Sequence, residues 1–372
     1  MELTSEQRAL RESVADLLRR HPPVLDPEID GAADRDAELW RSLSEIGVGG
    51  LAIPEQFGGA GAGPVEISVV AEQLGRALAP SPLLGSAVLA AQVILATDDQ
   101  SAHNAFLPKI SNGSLIASLA WTDSEGGWDP TRAACYATAR GSGGWTLTGT
   151  AHYVLDADLA GLLIVAATMP DDSIGLFEVT PGQPGVAIEA TPAMDQTRRL
   201  CVVRLAAAAD DPLACREDAS VALAVGRDLA CIALSAEQVG AAARALELTT
   251  AYTQTRIQFG RPIASFQAIQ HRLAELYALV ESARELSYRA AGQAAAGPGA
   301  GTELSLLAAT AKAYCSEALA KVAAEMIQLH GAIGITWEYD AHRYFKRAHG
   351  AGQLFGSPSA HLARIAASIL DG

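Results

Sequence analysis

The chain has 372 residues, of which 49% are hydrophobic and 19% charged, and its net charge is −15. That length exceeds one small core and suits two or three packed subdomains, and the composition excludes a disordered chain. The negative balance speaks against a nucleic-acid partner, since phosphate binding needs clustered Lys and Arg, and no uninterrupted apolar run is long enough to expect a membrane span.

In chain order, residues 1–115 read as an N-terminal helical domain. Thr4 to Gln7 fits a capping box ahead of an amphipathic helix. This first helix lacks the apolar core and cleavage site of a secretory signal, so a cytoplasmic location is expected. Glu38 to Ile46 continues the helical spacing, Gly58 to Gly61 breaks it, and Val65–Ala79 and Ser86–Ala96 resume it. From residue 116 to 217 short apolar segments alternate with Gly, Pro, Asp and Ser, as in Trp145–Val154 and Leu162–Thr168, which predicts a mostly antiparallel β domain. Residues 218–372 turn helical again over Ser220–Thr255, Ser265–Ala291, Glu303–His330, Ala341–Arg347 and Ser359–Leu370, with an Ala/Gly/Pro linker at Gly292–Gly301. The five cysteines (Cys135, Cys201, Cys215, Cys231 and Cys315) form no CxxC pair and read as buried reduced thiols, and no metal site is expected.

Several motifs spread over nearly the whole chain resemble the acyl-CoA dehydrogenase family. They are Trp40-Arg-Ser-Leu-Ser-Glu-Ile-Gly47, Leu51-Ala-Ile-Pro-Glu-Gln-Phe-Gly-Gly-Ala-Gly61, Glu72-Gln-Leu-Gly75 and Met194-Asp-Gln-Thr-Arg198. The fullest are Ala251-Tyr-Thr-Gln-Thr-Arg-Ile-Gln-Phe-Gly-Arg-Pro-Ile-Ala-Ser-Phe-Gln-Ala-Ile-Gln270 and Gln328-Leu-His-Gly-Ala-Ile-Gly-Ile-Thr-Trp337. The resemblance implies the acyl-CoA dehydrogenase fold: an N-terminal helical domain, a middle antiparallel β domain and a C-terminal four-helix bundle. It also implies FAD between the β domain of one subunit and the bundle of its neighbour, an acyl-CoA or other acyl thioester as substrate, and α,β-desaturation as the reaction.

On the bundle side, Arg256 offers the planar donor fork that suits phosphate oxygens. The resemblance places Arg256, Phe259 and Gln267 against the pyrophosphate and adenine half of a partner subunit's FAD. Gln328, Gly331 and Gly334 close a helix where left-handed glycine lets a ligand approach backbone N–H groups; the family's second adjacent glycine is Ala332 here. On the flavin side, Thr122-Asp-Ser-Glu-Gly-Gly-Trp-Asp129 keeps Thr122, Gly127 and Asp129 of the family's Thr-Glu-Pro-x-x-Gly-Ser-Asp stretch but carries Trp128 at the small hydroxyl position. The family's Trp-x-Thr corresponds to Tyr153-Val-Leu155, which lacks the hydroxyl.

The family's base lies in a Tyr-Glu-Gly-Thr-like turn, and the corresponding run His349–His361 contains no Asp or Glu. The alternative base position falls at Ala230. Asp228 and Glu237 are nearby, and Glu237 stands two helical turns on, a candidate base that also reads as an ion-pair residue. His349 and His361 could serve as bases in principle but read as surface residues. Eroded flavin-face motifs beside intact bundle motifs match the base-lacking subunit of bacterial α2β2 acyl-CoA dehydrogenases, so a second acyl-CoA dehydrogenase-like subunit is the expected partner. Two alternatives stay open: a self-sufficient homotetramer using Glu237 or another unusual base, and a non-redox scaffold or biosynthetic protein on the same fold.

Overall fold

The computed structural model describes residues 2–25, 32–141, 144–210, 212–213, 218–295 and 301–370. Cys215 and most of the expected linker before Gly301 lie outside them.

The N-terminal helices are α1 (Ser5–Arg20), α2 (Ala32–Glu45), α3 (Pro64–Ala77), α4 (Ala91–Leu95) and α5 (Gln100–Ser111). Thr4 caps α1: its side chain accepts from the Gln7 N–H, and the Gln7 side chain accepts from the Thr4 N–H. A π-helical segment, Leu83–Ala90, leads directly into α4 and is buried throughout. Within the helical spacing expected over Ser86–Ala96, the winding changes from π to α at Ala91. Wide π turns displace side chains from the regular ladder and are common beside ligand sites.

Seven strands follow: β1 (Ala117–Ala120), β2 (Cys135–Ala139), β3 (Trp145–Leu155), β4 (Leu162–Thr168), β5 (Ile174–Val179), β6 (Val186–Ala190) and β7 (Leu200–Asp210). They form one sheet in the order β1-β4-β2-β3-β7-β6, with β5 also paired to β4. The sheet is mixed: β4 runs parallel to both β1 and β2, and the remaining pairs are antiparallel. The physical reason is the path of the chain, which leaves β1, makes the antiparallel β2–β3 hairpin and returns along β4 in the original direction. Register shifts in the β3–β7 pair include one between Ala151 and Val154. Just there Tyr153 and Asp156 take left-handed backbone, φ 54° and 53°. Such irregularities re-aim side chains, and they occur next to active sites more often than elsewhere.

The C-terminal half packs α6 (Ser220–Thr255), α7 (Gln267–Ala295), α8 (Gly301–His330), α9 (Ala341–Gln353) and α10 (Pro358–Leu370), with a two-residue ribbon of β8 (Ile257–Gln258) and β9 (Arg261–Pro262) after α6. Among the described residues α6 is the one helix long and apolar enough to cross a membrane, and 89% of its apolar window is buried inside the protein. Its apolarity is that of a central helix: Ala230, Ala233, Ala236, Ala241, Ala242 and Ala245 are all buried.

Two glycines decide how α3 meets α6. A Cβ on Gly75 would lie 2.0 Å from the Glu237 carbonyl oxygen, and one on Gly240 would lie 1.9 Å from that of Glu72. The helices therefore cross backbone to backbone, and the crossing sets Glu237 beneath the β domain.

Candidate functional site

A groove of about 1030 Å³ runs between the loop after β1, the turn before β7 and the α9–α10 turn. Its volume is that of a large small-molecule site. Thr122 is buried behind the loop, and its hydroxyl donates to the Gly127 carbonyl. Tyr153 donates its hydroxyl to the Ser124 carbonyl at 3.0 Å, and Asp129 accepts from the Thr131 N–H at 3.0 Å and its hydroxyl at 2.8 Å. The loop thus spends its small polar groups on itself.

Trp128, the residue out of keeping with the family motif, turns inward. It is 9% exposed and meets Trp121 at 5.6 Å and Phe355 at 5.0 Å between ring centroids, both edge to face. Aromatic pairs prefer that arrangement. Phe355 lies at the α9–α10 turn in left-handed backbone, φ 61°, and is 1% exposed.

Lys312 and His361 hold this turn from below. The Lys312 ammonium donates to the Gly352 carbonyl (3.1 Å), the Gly356 carbonyl (3.2 Å) and the Ser316 hydroxyl (3.0 Å). Burial pulls its pKa down to about 8. His361 Nε2 donates to the Phe355 carbonyl at 3.1 Å. His361, expected at the surface, is 3% exposed. Burial, then the neighbouring Lys312 and Arg364 charges, push its pKa down to about 3, so it stands neutral. The second histidine, His349, is exposed, edge-on to Phe345.

Glu237 sits in a buried network. It pairs with Arg198 and with Arg347, and Arg347 also meets Asp195 at 2.8 Å and donates to the Thr197 carbonyl at 2.9 Å. Burial works against the Glu237 charge, but the two guanidinium groups outweigh it and hold the carboxyl below its ordinary range. A general base works best with a pKa near the operating pH; Glu237 is kept ionised and engaged on both sides. Asp228 is likewise taken, by Arg227 at 3.2 Å and Arg364 at 2.7 Å. Ala230 is fully buried.

The remaining candidates lie at the opposite end of α6 and α8. Arg256 caps α6 through its backbone and makes no side-chain hydrogen bond or ion pair among the described residues. Phe259 is 92% exposed in left-handed backbone, φ 53°. Gln267 and Gln328 are exposed, and Gly331 is left-handed, φ 66°, with open space around it. Gly334 differs: it is buried, and a Cβ there would lie 3.0 Å from the Cβ of His330. Packing therefore accounts for the glycine at 334. None of these residues lines the groove, so the structure brings Arg256, Phe259, Gln267, Gln328 and Gly331 to one outer end and leaves Thr122 apart.

Two residue sets can be compared with what FAD needs. The outer set offers an unpaired guanidinium, two amides, an open glycine turn and an exposed phenyl ring that meets only Phe266 edge to face among the described rings, which fit a dinucleotide. The groove set does not: the Thr122 hydroxyl is committed inward, Leu155 has none, and Trp128 fills the space of a small residue. Sequence reasoning misses Lys312, Arg347 and Phe355. A lone lysine inside Ala-rich Ala311-Lys312-Ala313 is the one signal that could have found any of them.

Comparison with known proteins agrees with this architecture. Residues 4–114 match the acyl-CoA dehydrogenase N-terminal domain, and residues 219–370 match the acyl-CoA dehydrogenase C-terminal domain. The chain is 38% identical over 369 residues to acyl-CoA dehydrogenase IpdE2 of Mycobacterium tuberculosis, covering 98% of each chain. It is 36% identical over 370 residues to IpdE2 of Mycolicibacterium smegmatis, covering 99% of this chain and 100% of the relative. Among solved structures, a chain of the Tcur3481–Tcur3483 steroid ACAD superposes with a TM-score of 0.86 at 32% identity, covering 99% of this chain and 98% of that one. A chain of the ChsE4–ChsE5 complex from Mycobacterium tuberculosis superposes with a TM-score of 0.86 at 28% identity, covering 100% and 99%.

Proposed function

The chain belongs to the acyl-CoA dehydrogenase family, and from that membership we propose that it takes part in α,β-desaturation of an acyl thioester as the subunit that supplies no base. Its partner is a second acyl-CoA dehydrogenase-like chain that carries the carboxylate and the flavin-face residues. The observation that carries this reading is the Trp128–Phe355 contact: the turn that would hold a base has no carboxylate, and its inward side chain is packed against a tryptophan. The names of the Tcur3481–Tcur3483 and ChsE4–ChsE5 structures, each pairing two chains, support the same assembly.

When bound, FAD supplies the hydride acceptor of the reaction. This chain's contribution is to bind it across the interface. Arg256 would meet phosphate oxygens with its donor fork, Phe259 would offer its ring to the adenine, and Gln267 and Gln328 would add hydrogen bonds. The exposure of Phe259 and of Trp337, 92% and 62%, is explained by a partner surface covering them. Loss of a base alone costs on the order of 10²–10⁴ in rate, so the partner's carboxylate is what makes the pair a dehydrogenase. Of the two alternatives, a self-sufficient enzyme relying on Glu237 would need it free of Arg198 and Arg347. A non-redox scaffold would have no use for the unpaired Arg256 set.

The test is the flavin spectrum of the purified chain, expressed alone and together with a carboxylate-bearing acyl-CoA dehydrogenase from the same organism. Colourless protein alone and about one flavin per pair together is the expected result. Stoichiometric flavin on the chain alone overturns it.

A further inference from the structure

A second cavity, of about 180 Å³, lies where α2, α3, the π-helical segment and the β3–β4 turn converge over α6. It shares only Arg198 with the groove. That volume is many times what one water needs. Its walls are mostly apolar: Trp40, Leu74, Leu83, Leu84, Val88 and Ile116. The polar groups are mostly paired, though two donors on lining residues, Trp40 Nε1 and Arg198 Nε, are buried with no hydrogen-bond partner among the described residues. Arg199 meets Asp36 and Asp158 at 3.1 Å each, and Arg198 and Arg347 hold Glu237.

Two carboxylate groups among them have acceptor capacity left over. Asp36 Oδ1 is buried with no hydrogen-bond partner, its other oxygen being taken by Arg199. Asp156 is 5% exposed, and among the described residues nothing donates to its carboxyl. Left-handed backbone, φ 53°, aims the residue inward, with Oδ2 3.0 Å from where a Cβ on Gly85 of the π-helical segment would stand. An unsatisfied buried acceptor is costly, and a π-helical wall around it is a feature of ligand sites.

We propose that this cavity binds a neutral, compact apolar molecule carrying a hydroxyl group, which donates to Asp156. The apolar walls take the hydrocarbon body. A cationic amine is disfavoured, because Arg198 and Arg199 flank the carboxyl. An anionic ligand is disfavoured by Asp36, Asp158 and Glu237. A hydroxyl donor satisfies Asp156 and adds no charge. The site is independent of the paired-subunit reading, and the flavin content of the protein does not bear on it.

The probes are cyclohexanol and methoxycyclohexane; the ether keeps the ring and the oxygen but has no proton to donate. Affinities are measured by ligand-observed NMR titration on the full chain, alone and with its partner subunit, at pH 8.5. That pH lies above the value of about 7 to which burial raises Asp156, so the carboxyl is an acceptor only. We expect cyclohexanol to bind roughly tenfold more tightly than the ether, the ratio for one hydrogen bond to a charged group. Asp156→Leu, of similar shape, should bring the ratio to about one, whereas Asp158→Asn should keep it. Val88→Trp, which fills the cavity from its apolar wall, should abolish binding of both probes. Equal affinities in the native chain, a ratio unchanged by Asp156→Leu, or binding that survives Val88→Trp each overturn the proposal. Should Asp156→Leu not fold, Asp156→Asn, which offers a neutral amide in place of the carboxylate, must still lower the ratio.

Discussion

Trp128 and Phe355 meet edge to face with centroids 5.0 Å apart, joining the loop after β1 to the α9–α10 turn. Trp121 meets the same indole at 5.6 Å, so three aromatic rings form one buried run. Trp128→Ala should cost about 3–5 kcal/mol, as large-to-small aromatic substitutions in cores do. Chemical denaturation measures it. A loss below about 1 kcal/mol, no more than an average point substitution brings, would mean that the indole does not hold the turn.

Arg256 stands in contrast, with no side-chain partner among the described residues. Surface substitutions away from packed features change stability by no more than about 0.5 kcal/mol. Arg256→Ala should therefore melt like the native chain yet lower the flavin retained by the co-expressed pair. Retention at native levels would remove Arg256 from the cofactor set.

Gly240 faces Glu72 across the α3–α6 crossing so closely that a Cβ would lie 1.9 Å from the Glu72 carbonyl oxygen, and no side chain fits. Backbone cannot step aside as a flexible side chain can, and overpacking costs about 1–3 kcal/mol or more. Gly240→Ala should lower the thermal midpoint well beyond the effect of Gly58→Ala. Gly58 has φ 77° but open space around it. Equal midpoints for the two variants would contradict the close crossing.

Local features are the most legible from sequence. The Thr4–Gln7 box needs only three residues of spacing, and α6 and α8 carry long apolar periods. What is not legible depends on partners far apart in the chain. His361 reads as a surface histidine until Lys312, from another helix, is seen holding the same turn. Asp156 carries no signal in the sequence, because nothing local says that its turn is roofed by the π-helical segment. Glu237 can be placed on the Ala230 face by counting, but its two arginines come from a β-domain turn and from α9. The parallel pairing of β4 depends on chain path and not on alternation within any one strand.

The Glu237 network should dominate acid sensitivity. Its carboxyl and that of Asp195 are both held below their ordinary values, in each case against burial, Glu237 by Arg198 and Arg347 and Asp195 by Arg347 and Arg198. A depressed carboxylate contributes stability that is present above its unfolded pKa and is lost as pH falls through the folded one. Removing one partner of a buried pair costs about 3–5 kcal/mol because the other charge is stranded. Glu237→Gln should show that deficit in urea at pH 7, and the gap to the native chain should close as pH falls below 4.5, the ordinary value for this group. A gap independent of pH would mean that packing, and not charge, is what Glu237 supplies.

Asp156 should behave in the opposite sense. Burial raises its carboxyl from 3.8 to about 7, with Arg198 and Arg199 pulling it down and Asp158 and Glu237 pushing it up. Between those two values the folded chain holds a proton that the unfolded chain has released, so this group makes stability fall as pH rises. Above about 7 both states are ionised and the penalty is constant. Asparagine has the same shape and no charge to bury. Asp156→Asn should therefore gain little over the native chain near pH 4, gain progressively up to pH 7, and hold that gain at pH 8. Urea midpoints across that range measure it. Since Glu237→Gln loses most where Asp156→Asn gains most, the two variants separate a carboxylate kept charged by its partners from one left without a donor in an open cavity. A gain for Asp156→Asn that does not grow with pH would show that the Asp156 carboxyl already has a partner.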